Sequence, residues 1–585
     1  MSDHDILIKN AFIVDGTGSA PIKGEIAIDG ERITGIGKNL GAGEKIINAK
    51  GKIVCPGFID VHNHGDLSIL YYPKAEGYLK QGITTFIGGQ CGSSPAPIGE
   101  YVAEGAVLYD LVHEMNPAMY YPSELIRREL FNPKHRELVG WEIDWKTMGD
   151  FLKKVESFGI SPNMVPMVGH GPIRIMAMGP DFERKATPEE VEAMKPHLRQ
   201  AMEDGCRGFS VGRDYDPGYW ADKEELIELT KIVAEYKGVY QSHSLRTGLR
   251  KARRPGEVAP PKINGILEAI DVGRQAGVAV EISHLGSLYD VYPGGSGLLD
   301  EAAAKATLKV VDDAIDEGLD VSFDVIPNTG GYGLYSSTHL VGFLLPWLRV
   351  AGGREQLARA LKMRDFREEI KASIMSGKWY GLNPNISAGW ARMNKITESK
   401  NSEYLGKTVA EIAGIRKTEH LEALFDVIQE DPYTRIAGMS FSSPSKALFY
   451  QHRAMMAGID TLALDTAWKP ESAPWYLPSQ NSFNGFAAYF EDVVREEKIL
   501  SVEQAVHHVT GVPAKKFKLT DRGVLREGAY ADIVVMDIDR VKDMSTPLNP
   551  SVYPDGIDHV LVNGVHVVKN MTHTGMKPGK VLYRE

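Results

Sequence analysis

Two histidines separated by one residue end an apolar run early in the chain. The segment PGFIDVHNHGD places His62 and His64 directly after this run, which a Pro-Gly turn precedes. Because residues i and i+2 of a strand point to the same side, both imidazoles are expected to face one metal ion. The alternative is a pair of solvated or core histidines. The position at the end of a strand favours the metal.

Four further residues with ligating or acid–base side chains each end an apolar run. They are Cys91 in ITTFIGGQCG, His243 in GVYQSHS, His284 in GVAVEISH and Asp465 in TLALD. Each alone has an ordinary alternative, since a strand cysteine can pack in a core and an aspartate can cap a helix. The carboxyl ends of parallel strands in a barrel meet at one face, so we expect these residues to converge. Histidine, cysteine and aspartate together are a ligand set for zinc.

The segments that must position these residues alternate between strands and helices. Short apolar runs bounded by Gly or Pro occur in ITTFIGG, NMVPMVGHG, RGFSVG, GVYQSHS, GVAVEISH, LDVSFDV and TLALD. Amphipathic helices are predicted over 188–202 and 224–236, each before such a run. This pattern predicts a parallel sheet buried on both faces, and the number of units favours a closed barrel over an open sheet.

The two ends of the chain and one internal region differ from this pattern. ILIKNAFIVDGTG near the start and HVLVNGVHVVKN near the end alternate as short antiparallel strands do. Neither end has enough strands to bury a face, so we expect the two ends to pair. Residues 328–440 are rich in Trp, Asn and Lys, and we interpret them as an inserted subdomain that could cover the barrel mouth.

The composition indicates an ordinary soluble protein, and its charge favours a small-molecule partner. The chain has 585 residues, 43% hydrophobic and 24% charged, and no apolar run of the roughly 18 residues that a membrane helix needs. A net charge of −11 argues against binding nucleic acid or an anionic membrane. The start MSDHDILIKN does not read as a secretory signal, so a cytoplasmic location is expected. Three cysteines give no disulfide framework.

The order of the motifs resembles that of the N-acyl-D-amino-acid deacylases, or D-aminoacylases, of the amidohydrolase superfamily. The matching segments run from PGFIDVHNH through GGQCGSSPAPIG, VGHGPIR, GFSVGRDYDPG, SHSLR, EISH, FDVIPNT and LLPWL to DRGVLREGAYADIVVMD. The most specific of them is the strand-end cysteine in GQCGSSPAP. Many relatives bridge two metals with a carboxylated lysine, whereas D-aminoacylase-like members use a cysteine. No lysine ends NMVPMVGHG, in agreement with the cysteine type.

The resemblance implies a (β/α)₈ TIM-like barrel, a small β-sandwich domain built from both termini and an inserted subdomain near the barrel mouth. In these terms, residues 1–57 and 517–585 form the two parts of the β-sandwich. Residues 58–327 and 441–516 form the two parts of the barrel, and 328–440 form the insertion or lid.

The resemblance also implies ligand roles. Cys91, His243 and His284 are the expected ligands of one tightly bound zinc ion. His62 and His64 form, with Cys91, a second and weaker site.

Asp465 matches the catalytic aspartate of the family. Zinc lowers the pKa of its bound water from 15.7 toward about 7, and Asp465 would take the water's proton and deliver it to the leaving amine. His170 in VGHGPIR is a candidate for holding the developing oxyanion or positioning the substrate, with a purely structural role as the alternative.

The substrate-binding motifs of the family are incomplete here. D-aminoacylases carry a His-Pro-Arg-like segment after the catalytic aspartate, whose arginine binds the substrate carboxylate, but this chain reads APWYLPSQNSFNG there. The family's lysine after the EISH histidine is also absent. Arg213, Arg246 and Arg250 are alternative carboxylate ligands, although surface or rim ion pairs are the ordinary role of such arginines. Tyr215 is a candidate for lining the pocket or for packing.

We therefore predict a zinc-dependent amidohydrolase that cleaves a small-molecule amide, foremost an N-acyl-D-amino acid. The alternative is a hydrolase of another amide, a cyclic amide or a carbamate without the usual free carboxylate. A third hypothesis is a non-catalytic scaffold of the same superfamily, which would be expected to lack several ligands. The presence of all six candidate residues argues against it. A homo-oligomer is compatible with these features.

Overall fold

The computed structural model describes residues 3–108, 124–245, 263–285, 297–327, 335–377, 379–383, 389–439, 445–468, 473 and 475–584. Arg246 and Arg250 lie outside the described residues. No helix in these ranges is both long and apolar enough to cross a membrane.

Strands from both ends of the chain form one nine-stranded sheet in the order β24-β23-β22-β21-β5-β1-β2-β3, with β4 paired to β1. Its strands are β1 His4–Ile13, β2 Ile22–Asp29, β3 Arg32–Gly37, β4 Gly43–Asn48, β5 Ile53–Pro56, β21 Ile533–Met536, β22 Ile557–Val562, β23 Val565–Lys569 and β24 Thr572–His573. Antiparallel pairing of β21 with β5 joins the two ends. The predicted pairing of the termini is confirmed.

Alternation of side chains explains how this sheet packs. Ile6, Ile8, Ile26 and Ile28 pack together with C-terminal residues such as Ile533 in one buried cluster. Successive strand residues point to opposite faces, so residues two apart share this core.

Within the described residues, nine short strands in the middle of the chain pair with one another in parallel. One sheet has the order β10-β7-β6 and the other β11-β12-β13-β14-β15-β19. These strands are β6 Phe58–Asp60, β7 Ile83–Ile87, β10 Asn163–Val165, β11 Val168–Gly169, β12 Gly208–Gly212, β13 Val239–His243, β14 Ala279–Ile282, β15 Val321–Val325 and β19 Met455–Ala457. Parallel strands that are buried on both faces are typical of an α/β protein.

The remaining strands form short antiparallel pairs. They are β8 Tyr101–Val102 with β9 Ile126–Arg127, β16 Tyr335–Ser337 with β20 Tyr476–Pro478, and β17 Asn394–Glu398 with β18 Arg435–Gly438.

Helices connect the parallel strands and fill the insertion. They are α1 Glu76–Leu79, α2 Arg128–Val139, α3 Met148–Phe158, α4 His170–Met178, α5 Pro188–Glu203, α6 Lys223–Glu235, α7 Ile263–Ala276, α8 Gly297–Asp316, α9 Leu345–Ala351, α10 Arg354–Ala360, α11 Arg364–Met375, α12 Val409–Arg416, α13 His420–Glu430, α14 Lys446–Tyr450, α15 Asn481–Tyr489, α16 Val502–His508 and α17 Gly511–Lys516. A π-helical segment, Phe490–Glu496, continues α15.

The predicted helices over 188–202 and 224–236 correspond to α5 and α6. A capping box begins α5, since Thr187 accepts from the backbone N–H of Glu190 and the Glu190 carboxylate accepts from the N–H of Thr187. At α6 the Asp222 side chain accepts from the N–H of Glu225. Local capping chemistry therefore begins both helices where the sequence pattern places them.

One predicted strand is wrong. Residues of TLALD form no strand, and the strand in this part of the chain is β19, which precedes Gly458. Leu462 and Leu464 are buried in a loop cluster with Trp468 and Phe483. A short apolar run without periodicity marks burial and does not by itself distinguish a strand from a buried loop.

The described part of region 328–440 has its own hydrophobic core. Residues such as Leu344, Leu357, Ile370 and Phe425 pack together there, separately from the core of the parallel strands. The absence of a strand–helix alternation in its sequence reflects a mainly helical structure over 335–377 and 389–439.

Candidate metal centre

Two groups of potential ligands, within the residues that the structure describes, share Cys91. The first contains His62, His64, Cys91 and Asp460, and the second contains Cys91, His243 and His284. The ligand atoms of each group lie within 4.8 Å of one another. The five His and Cys residues predicted from strand-end positions therefore come together.

The distances around the Cys91 sulfur fit a zinc ion. The Sγ atom lies 3.1 Å from Nε2 of His62, 3.4 Å from Nδ1 of His243 and 3.7 Å from Nε2 of His284. A zinc ion binds nitrogen at roughly 2.0–2.1 Å and sulfur at about 2.3 Å. With tetrahedral angles, a nitrogen and a sulfur bound to the same ion lie about 3.6 Å apart. The donor set and its spacing therefore suit zinc.

The thiol of Cys91 is held in the form that binds metals. Burial would raise its pKa, but the neighbouring imidazoles of His62 and His243 outweigh that effect and hold the pKa well below the ordinary value for a thiol. The residue is only 3% exposed. A buried thiolate among histidines is a zinc ligand in chemical character.

Strained backbone positions two of the ligands. Cys91 has φ of 53° and His284 has φ of 40°, in the left-handed region that residues with a side chain seldom adopt. The next residue, Gly92, has φ of 76°, and a Cβ on it would lie 2.6 Å from the backbone N of Gly212. Such strain persists where the surrounding structure enforces it, and it is concentrated at functional sites.

A buried aspartate orients His62. The Nδ1 atom of His62 lies 2.9 Å from Oδ2 of Asp324, and the other Asp324 oxygen accepts from the backbone N–H of His284 at 2.9 Å. Because a carboxylate only accepts, Nδ1 of His62 carries the proton and Nε2 faces Cys91. Burial opposes the charged form of His62, but the charges of Asp324 and Cys91 raise its pKa well above the ordinary value.

Asp460 completes the first group and was missed by the sequence prediction. Its Oδ1 lies 3.4 Å from Nε2 of His64 and 3.5 Å from Nε2 of His62. Burial would raise the pKa of Asp460, but the charge of His62 and the hydrogen bond from His64 outweigh it and hold the pKa below its ordinary value. The carboxylate is ionised, and 18% of its side chain is exposed.

Asp465, the predicted catalytic aspartate, is not part of either group. Its Oδ1 accepts from the backbone N–H of Ala467 at 2.9 Å, and its carbonyl accepts from that of Trp468 at 3.1 Å. Burial raises its pKa. Asp465 therefore stabilises a local turn. This role resembles helix capping, which was the alternative to a catalytic role for this residue. The aspartate that the structure brings to the ligands is Asp460, three residues after the end of β19.

His170 and Arg213 each pair with a glutamate outside the two ligand groups. His170 Nε2 lies 2.7 Å from Oε1 of Glu225, and burial lowers its pKa. Arg213 is 3% exposed, pairs with Glu268 at 2.7 Å and donates to the carbonyl of Ala221. The predicted substrate contacts of Arg213 are therefore replaced by internal ones.

Tyr215 does contact the centre. Its hydroxyl donates to the carbonyl of Cys91 at 2.8 Å and lies 3.3 Å from Nδ1 of His243, and the two rings are 4.8 Å apart. Tyr215 therefore lies beside two of the candidate ligands, and its role in lining a substrate pocket stays a prediction.

Comparisons with known proteins agree with this geometry. Residues 406–568 match the model of the amidohydrolase family. The chain is 29% identical to an N-acyl-D-glutamate deacylase of Alcaligenes xylosoxydans xylosoxydans, over 99% of this chain and 97% of that protein. It is 26% identical to a D-aminoacylase of the same organism, over 99% and 98%.

Solved structures of two deacylases are similar to this chain over almost its whole length. The crystal structure of N-acyl-D-glutamate deacylase from Bordetella bronchiseptica, complexed with zinc and a phosphonate inhibitor, has a TM-score of 0.67 and 27% identity over 99% of both chains. A D-aminoacylase structure described by its binuclear metal centre has a TM-score of 0.69 and 25% identity, over 99% of this chain and all of the other.

The α/β fold and the His-Cys-Asp cluster define a metal-dependent hydrolase that acts on amide bonds. Its ligand set includes a cysteine shared between two groups. Over nearly its whole length the chain is similar to N-acyl-D-glutamate deacylase and to D-aminoacylase.

Proposed function

We propose that this enzyme uses zinc to cleave an N-acyl-D-amino acid into a carboxylate and a free D-amino acid. The observation that carries the proposal is the position of Cys91, whose sulfur lies 3.1–3.7 Å from three imidazole nitrogens beside an ionised aspartate. The relatives named as acting on N-acyl-D-glutamate and as D-aminoacylase support the substrate class.

The two ligand groups suggest how metal is held. Cys91, His243 and His284 would hold one tightly bound zinc ion, and His62 and His64 would form a second, weaker site that shares Cys91. Zinc bound there supplies Lewis acidity, which activates water for attack and polarises an amide carbonyl.

Asp460 is the residue of this chain that moves the proton. Its carboxylate is ionised because neighbouring imidazoles lower its pKa, so it can accept a proton from the attacking water. The same group, once protonated, donates to the nitrogen of the leaving amine. Its side chain is 18% exposed, so a substrate can reach it.

The identity of the residue that binds the substrate carboxylate stays a prediction. Arg246 and Arg250 are the candidates in SHSLRTGLRK, and Tyr215 would line the adjacent pocket. The family's arginine is missing from APWYLPSQNSFNG, and this favours a second candidate function, hydrolysis of a cyclic amide or a carbamate.

A turnover screen decides between these substrates. N-acetyl-D-amino acids with acidic, polar and apolar side chains are tested beside their L enantiomers, cyclic amides and carbamates. We expect the highest kcat/KM on an N-acyl-D-amino acid, with the L enantiomer of the same compound as the matched control. Turnover confined to cyclic amides or carbamates would replace the deacylase proposal and leave the amidohydrolase conclusion intact.

Removal of zinc is expected to inactivate the enzyme reversibly. Prolonged treatment with a strong chelator should reduce activity to background, because the ligands converge on a metal position, and added zinc should restore it. Activity and bound zinc are measured on the same samples. Full activity in a sample shown to contain no metal would contradict the proposal.

We further propose that the two parallel sheets close into one (β/α)₈ barrel. The backbone N–H of Asp460 donates to the carbonyl of His62, and that of His64 donates to the carbonyl of Thr461, both at 2.7 Å. These bonds join the segment after β19 to the segment after β6. The β-sandwich at 1–57 and 517–585, and an insertion at 328–440 that covers the mouth, complete the proposed organisation.

A further inference from the structure

His243 makes contacts through both of its ring nitrogens. Its Nδ1 lies 3.4 Å from Sγ of Cys91, and its Nε2 lies 3.3 Å from Oδ2 of Asp214. Asp214 is completely buried. Because a carboxylate only accepts, this contact places the ring proton on Nε2 and directs the lone pair of Nδ1 toward the cysteine.

The backbone around Asp214 is anchored from both sides. The N–H of the preceding residue, Arg213, donates to the carbonyl of His243 at 2.9 Å, and its guanidinium pairs with Glu268 on α7. The following residue, Tyr215, donates to the carbonyl of Cys91. These contacts hold the Asp214 carboxylate against His243, so its position is set by the fold.

We propose that Asp214 is a positioning residue that selects the metal-binding tautomer of His243. This inference rests on the proposed zinc site of Cys91, His243 and His284. It parallels the contact of Asp324 with His62, but in the other ligand group and with the ring reversed: Nδ1 of His62 faces its aspartate, whereas Nδ1 of His243 faces Cys91. A separate carboxylate thus orients one histidine of each group.

The test compares the metal affinity of the purified full-length enzyme and its variants. Asp214→Asn keeps the shape but lets the amide either accept or donate, and Asp214→Ala removes the contact. We expect the zinc Kd, measured by competition with a chelator, to rise about 10- to 100-fold in both variants. Cobalt titration should still give the thiolate absorption band of a Cys91 complex, but at higher cobalt concentration, and excess zinc should restore most of kcat.

Asp216→Asn is the matched control, because it makes the same chemical change two residues away. The Asp216 side chain accepts from the indole N–H of Trp220, and an asparagine oxygen can keep that bond. We expect the zinc affinity of this control to equal that of the parent enzyme.

Three other outcomes would contradict either the positioning role of Asp214 or the proposed function. Unchanged zinc affinity in both Asp214 variants overturns the positioning role while the zinc enzyme stands. If Asp216→Asn weakens zinc binding equally, the positioning role is also overturned, because the loss of affinity would then result from any change in this segment. A parent enzyme that binds no zinc and gives no cobalt–thiolate band contradicts the proposed function itself.

Discussion

Asp460→Asn is expected to lower kcat by about 10²- to 10⁴-fold while zinc remains bound, because the asparagine cannot accept and return a proton. The replacement keeps the size of the side chain and an oxygen beside His64, whose Nε2 lies 3.4 Å from the carboxylate. Steady-state kinetics on the best substrate of the screen measure the effect, and metal analysis establishes that zinc is retained.

Asp465→Asn is the matched control for this prediction. Its carboxylate accepts a backbone hydrogen bond in a turn, which an asparagine oxygen can also accept, so we expect kcat within about threefold of the parent enzyme. A near-normal kcat for Asp460→Asn together with a collapse for Asp465→Asn would reverse the assignment of the two aspartates.

Cys91→Ala is expected to empty both ligand groups, because both contain this residue. The side chain contributes the only sulfur of either group, and its loss leaves imidazoles and one carboxylate. Bound zinc should fall well below one ion per chain, and activity should fall to the level of the chelated enzyme. Zinc is measured after gel filtration, and activity is measured with and without added zinc.

Cys206→Ala provides the control for removal of a thiol. Cys206 is also a buried free cysteine, but it belongs to neither ligand group. We expect zinc content like that of the parent enzyme. If Cys91→Ala kept stoichiometric zinc and normal turnover, the shared-cysteine site would be wrong.

The positions of His62, His64, Cys91, His243 and His284 were predictable because each ends a recognisable apolar run. Parallel pairing brings the ends of such runs to one edge of a sheet. Residues at the ends of separate runs therefore lie close together in the fold. The pairing of the chain termini was predictable for a related reason, since alternating strands at each end needed partners.

The aspartates were harder to predict because their roles depend on contacts between distant residues. TLALD and MMAGID are both apolar runs that end in an aspartate, and only the fold shows that β19 lies in the second. The partner of His62 is 262 residues away in Asp324, and Arg213 pairs with Glu268, 55 residues away. No local pattern contains either contact.

Zinc K-edge X-ray absorption on the purified enzyme tests most directly whether Cys91 binds the metal. We expect a first coordination shell with one sulfur at about 2.3 Å and nitrogen or oxygen ligands at about 2.0–2.1 Å, and we expect the sulfur to be lost in Cys91→Ser. A zinc shell of nitrogen and oxygen alone in the parent enzyme, or no stoichiometric zinc at all, would contradict binding of the metal by Cys91.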